Sequence, residues 1–406
     1  MRRPSAILVA AIALTLAGLR GRGAETWSYA SSDHFETFAA GDDAHAREIA
    51  AAFEGFHASF SQLFNVPGGR TAPRTKLIVF ASAREFAPFR PQDNSIAFWL
   101  DTPVGDFIVM QAFDTSAMPT ALHEYTHLMV GRTGVQYPLW LNEGIAEFYS
   151  TMTRDGSKVR LGLPLPNAVD TLQRGGQLIP LPALFGMDDS SAEGRDAATA
   201  ARFYAESWAL THMLVTSEPY RAGAMRAFEA IARGEGTMAA LDAVYHRPVD
   251  AIWSDLKKYL LRFRFGSMSV ELPRSAAGAQ VMSAPIDQVQ LDLVYGTILG
   301  WQASHQELGL EILKQLEDRA PGNLALIESR GLIEYYSQRC DTARSYLSKA
   351  IAMNSTNSAV QRAYAALTGQ APMPAPKIPP MMPAADPAVD AQVHIALTPC
   401  RGQILN

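Results

Sequence analysis

The chain has 406 residues, 48% of them hydrophobic, and a formal net charge of −5. That length predicts two or three domains, and that apolar share excludes a globally disordered chain. A mildly acidic balance with no basic patch speaks against nucleic-acid binding. At the N-terminus, Arg2 and Arg3 precede the apolar run AILVAAIALTLAGL, which stops at Arg20. A positive start, a short apolar stretch and small residues predict a secretory signal peptide over 1–24, hence an exported chain, periplasmic or secreted. Ala24 suits the last residue of such a segment, while Arg22 fits the small-residue rule poorly. An uncleaved anchor therefore stays open, and with it the one route to a membrane, although the run is short for a span.

Residues 25–115 read as mixed α/β. WSYASSDHFETFAA alternates like strands around a turn at Ser31–Asp33, and DAHAREIAAAFEGFHASFSQLF has helical spacing behind the N-cap signal GDD. KLIVFAS and FIVMQAF have strand length, with a short helix at SAREFAPF between them. Residues 116–270 read as mostly helical. Pro119 suits the start of a helix that Gly131 or Gly134 ends, a second begins near Pro138, a third covers DAATAARFYAESWALTHMLV, and DAIWSDLKKYLLRFRF closes the region. The Gly-, Pro- and Asp-rich stretch over 151–195 reads as loops.

Residues 285–370 carry a repeat. Pro321 in APGN and Ser355 in MNSTN stand thirty-four residues apart, each after an amphipathic helix that itself follows another helix. Paired helices at this period resemble tetratricopeptide repeats. Two units are marginal alone, so they are expected to stack on the preceding domain. From 371 to 406 dense proline predicts an extended linker and tail, with QVHIALTP as one strand or no ordered element. Cys340 and Cys400 are the only cysteines. Export permits a disulfide between them; a buried Cys340 with a free Cys400 on the tail is the slightly preferred reading.

The segment ALHEYTHLMV, residues 121–130, holds His123 and His127 four apart, on one face of a helix. Both imidazoles can therefore meet one metal ion. Glu124 sits beside them, placed to take a proton from a water whose pKa the metal lowers. Glu143 follows His127 after a helix end, a turn and the start of an antiparallel helix, so a hairpin can return its carboxylate to the histidines. Glu147, four further on, shares the face of Glu143 and can accept from the far nitrogen of a histidine. His34, His45, His57, His246, His305 and His394 lack ligand spacing and are given no role.

HEYTH followed by WLNEGIAE resembles the gluzincin metallopeptidases, the peptidase MA-like group that includes thermolysin and the aminopeptidase-type enzymes. The resemblance implies a mixed sheet followed by a helical subdomain, α+β in class, and one catalytic zinc ion. It implies His123, His127 and Glu143 as ligands, Glu124 as general base and Glu147 as support for a ligating histidine. FYAESWALTHML resembles the family helix whose tyrosine donates to the oxyanion, which implies Tyr204 in that role and Ser207 at a small-residue position. His212 on the same helix reads as core or surface. The gap from His127 to Glu143 is shorter than in the aminopeptidase type. No GAMEN-like segment precedes HEYTH, and GDFIVMQAF reads as an edge strand able to take an extended peptide by strand addition. The expectation is an endopeptidase acting on peptides or proteins, with the repeats as a surface for a protein partner. Two alternatives stand beside it: a repeat scaffold whose peptidase-like domain only docks, and a zinc hydrolase of non-peptide amides.

Overall fold

The computed structural model describes residues 26–64, 73–93, 95–115, 117–174, 176–188, 197–261, 264–272, 281–369 and Cys400. The signal segment and, Cys400 apart, the proline-rich tail with its QVHIALTP stretch lie outside them. The fold is α+β, a mixed six-stranded sheet with helices on both faces.

β1 (Trp27–Ser31) and β2 (Phe35–Ala40) form the expected hairpin. Helix α1 (Asp43–Leu63) follows, capped by Asp42, whose carboxylate accepts the His45 backbone N–H at 2.9 Å. The chain then enters β3 (Thr75–Val79), parallel to β2. A short helical stretch over 83–89 leads to β4 (Ala97–Thr102), which turns through Pro103 and Val104 into β5 (Gly105–Met110). β5 pairs with β3 on one side and β4 on the other. The expected edge strand over 105–113 is therefore interior, and the true edge is β4. The Gln111 N–H donates to Ile96 O, which fixes the alternation along β4: Phe98 and Leu100 bond inward, and Ala97, Trp99 and Asp101 turn their backbone groups to the open side.

Next come two antiparallel helices, α2 (Met118–Thr133) and α3 (Leu139–Ser150). Pro119 lies in the first turn of α2 and Gly134 caps its end in the left-handed conformation. The stretch read as loops over 151–195 instead contains strands β6 (Thr153–Asp155) and β7 (Lys158–Leu161) and helices over 166–173 and 181–185. Helix α4 (Ala197–Thr216), three shorter helices and α5 (Val249–Leu261) complete this part. β8 (Met268–Glu271) joins β6 and β7 in a three-stranded sheet, and β9 (Met282–Pro285) returns to pair with β1 at the far edge of the large sheet.

Five helices follow: α6 (Gln288–Trp301), α7 (Gln306–Arg319), α8 (Leu324–Tyr336), α9 (Cys340–Ala352) and α10 (Ser358–Thr368). They stack on the preceding part, as their number required. Alternation in the strands explains how. Ile78, Phe98, Leu100, Phe107 and Val109 face α6–α8 and their neighbours, while Leu77, Val79, Ala97, Ile108 and Met110 face α1 and α2. A buried Gln302 side chain donates to Phe89 O at 2.8 Å across the first of these interfaces. Cys340 and Cys400 form a disulfide, and the Cys400 N–H donates to Tyr335 O. That corrects the free-thiol reading: Cys400 is the buried member, and Cys340 is only partly covered. No helix among the described residues is long and apolar enough to cross a membrane.

Candidate metal centre

Helix α2 is sandwiched between the sheet and α3, and every residue from Thr120 to Val130 is buried. Polar side chains in that run therefore need partners from neighbouring elements. Arg132 anchors the last turn, donating to Thr75 Oγ1 at 3.0 Å on β3 and to Asp106 Oδ2 at 3.1 Å on β5.

The hairpin of α2 and α3 brings three ligand-type side chains together. His123 Nε2 and His127 Nε2 are 3.0 Å apart. Glu143 Oε2 lies 3.3 Å from the first and 3.4 Å from the second. All three residues are buried, and their ligand atoms could hold a metal ion. Two tests support that reading. Ligands about 2.0–2.2 Å from a tetrahedral ion stand roughly 3.3–3.5 Å apart, close to the three separations here. Further, neither oxygen of the fully buried Glu143 carboxylate accepts a hydrogen bond. An ionised carboxylate in such a place is costly unless a cation faces it.

The neighbouring helix makes this approach possible. A Cβ on Gly144 would lie 2.1 Å from Thr211 Oγ1 and 2.6 Å from Ser207 O, both on α4. Only glycine lets α3 sit this close to α4, so the residue after Glu143 sets the depth of the carboxylate. Ser207 thus marks the helix contact. Tyr204, one turn earlier, is buried beside Phe203 in the cluster that joins α3 and α4. His212 lies in the core, its Nε2 2.8 Å from Gly162 O and its Nδ1 2.6 Å from Tyr259 Oη.

Glu124, at 0% exposure, lies on α2 beside the ligands. Glu147 Oε2 is 3.9 Å from His123 Nδ1, an ion-pair separation longer than a hydrogen bond. Asn142 was not singled out in the sequence, yet its side-chain amide is 3.1 Å from His127 Nδ1. A histidine that binds metal through Nε2 carries its proton on Nδ1, so Asn142 would meet it with its oxygen. Its place immediately before Glu143, on the return helix, was the available signal. His34 and His57, given no role, stack at 3.8 Å behind α2. Comparison with protein-family models and with curated proteins finds no match to this chain.

Proposed function

We propose that this chain is an exported zinc metallopeptidase of the gluzincin type that hydrolyses peptide bonds. The observation that carries the reading is the buried convergence of His123, His127 and Glu143, at separations that suit a tetrahedral ion. Two imidazoles and one carboxylate are a three-ligand set, which leaves a fourth position open. A zinc ion bound there supplies Lewis acidity, lowering the pKa of water and polarising the scissile carbonyl.

The chain's own residues supply the rest. Glu124 takes the proton from the attacking water and delivers it to the leaving amine. Tyr204 donates a hydrogen bond to the oxyanion. Asn142 holds the His127 imidazole from behind by a hydrogen bond, and Glu147 supports His123 at ion-pair range. The open edge of β4, where Ala97, Trp99 and Asp101 offer backbone groups, takes an extended peptide by strand addition and favours an endopeptidase. The disulfide suits an oxidising compartment and supports export. The scaffold alternative draws less support, because the repeat helices spend apolar surface on the sheet.

Glu124→Gln is expected to keep zinc and lose about 10²- to 10⁴-fold in turnover, read from cleavage of a peptide library with and without chelator. Full turnover in that variant would refute the mechanism.

A further inference from the structure

The metal-directed side chains occupy one face of α2. The opposite face carries an arrangement that the proposed reaction leaves unused. Tyr125 stands two residues from both His123 and His127, and side chains two apart on a helix do not share a face. Its ring is fully buried among Phe35, Phe53 and Phe60, with centroid separations of 5.6, 6.0 and 5.4 Å. In that apolar cage lies a polar contact, Tyr125 Oη to His57 Nδ1 at 2.7 Å. His57 Nε2 is 3.2 Å from Ser61 Oγ, one turn along α1. The His57 ring stacks on His34, and Glu54 holds His34 at its backbone N–H and at Nδ1, both 2.8 Å away.

Chemistry sets the direction of these bonds. Burial, with the charge of His34 adding to it, holds His57 down to about 4, so its imidazole is neutral near pH 7. A tyrosine phenol is protonated near pH 7. Within the phenylalanine cage His57 Nδ1 is the acceptor in reach of the phenol, so the phenol donates to it and the imidazole keeps its proton on Nε2, toward Ser61 Oγ.

Packing and the Arg132 anchor at its last turn set the depth of α2, but apolar contacts put no directional check on small rotations around Tyr125. A hydrogen bond weakens steeply with angle and distance, so it resists them. Turning α2 by roughly 10° moves an atom about 6 Å from the helix axis by about 1 Å. Metal ligands tolerate only about 0.2 Å. We propose that His57 is a positioning residue of the metal centre: through Tyr125 it fixes the rotation of α2, and so the convergence of His123 and His127 on Glu143. The centre itself rests on the reading under Proposed function; the positioning claim rests on the His57–Tyr125 contact.

Tyr125→Phe deletes the hydroxyl and keeps the cage. His57→Asn places an amide where Nδ1 stands, whereas His57→Leu removes the partner altogether. Zinc affinity of the full chain, measured by competition with a chromogenic chelator, should fall about tenfold or more in Tyr125→Phe and His57→Leu. It should recover to within about threefold of the original in His57→Asn. In the metal-free chain, amide exchange along residues 118–133 should quicken in the first two variants and not in the third. Original affinity and exchange in Tyr125→Phe would overturn the proposal, as would His57→Asn behaving like His57→Leu. An original chain that takes no zinc would overturn the peptidase reading instead, and the exchange comparison would still decide the positioning claim.

Discussion

The two faces of the large sheet carry helices that bury charged groups in different company: arginine partners on one side, a ligand-type cluster on the other. On the α6–α10 side the interior is mainly apolar, with Leu313, Ile333 and Leu347 fully buried, and its buried carboxylates are paired with arginines, Asp292 with Arg319 and Glu334 with Arg339. On the α2 side, His123, Glu124, His127 and Glu143 lie inside, none more than 5% exposed. Interior charge costs stability, and apolar packing supplies it. The α6–α10 side therefore reads as support, and the α2 side as the place where stability is given up for a candidate metal centre.

Matched backbone insults test that contrast. Gly144→Ala drives a Cβ to 2.1 Å from Thr211 Oγ1 and 2.6 Å from a backbone oxygen. The helices must part, at about 3 kcal/mol or more, and zinc affinity should drop at least about tenfold as Glu143 shifts. Gly309→Ala meets Gly300 N at 2.1 Å where α6 and α7 cross. The nearest atoms there are all backbone, so it should cost at least as much stability as Gly144→Ala, about 3 kcal/mol or more by chemical denaturation, and leave zinc affinity of the folded chain within about twofold. Equal losses of zinc in the two variants would erase the distinction between the faces.

A smaller effect sharpens it. Glu206 on α4 is fully buried and accepts the Ile179 N–H with both oxygens, at 3.1 and 2.9 Å. Burial raises its pKa from 4.5 to about 7, against the opposing pull of that bond and of Arg202. The native state then holds more protons than the unfolded state between those values. Stability falls as pH rises through that window and is flat above it. Glu206→Gln should therefore gain on the original chain from pH 4.5 to 7 and lead by about 1–3 kcal/mol at pH 8. A pH-independent difference in unfolding free energy would contradict this.

The local parts of this design were legible. His123, Glu124, His127 and Glu143 lie on two consecutive helices, so spacing allowed a hairpin to join them and the gluzincin resemblance named the set, while GDD, Pro119 and Gly131 or Gly134 marked helix ends. One local signal was passed over: Gly156–Ser157, with Gly156 at φ +60°, makes the two-residue turn between β6 and β7. The rest was long-range. The Pro103–Val104 turn holds no glycine, so β4 before it went unread and β5 was taken as the edge. β9 finds β1 across most of the chain, His57 meets Tyr125 across 68 residues, and Cys400 meets Cys340 across 60. Periodicity within a window carries no trace of such pairings.

Zinc content settles the central claim most directly. The purified chain and Glu143→Ala, each dialysed against limiting zinc and then quantified per folded chain, should hold one ion and none. Stoichiometric zinc in Glu143→Ala, or none in the original chain, would contradict the account.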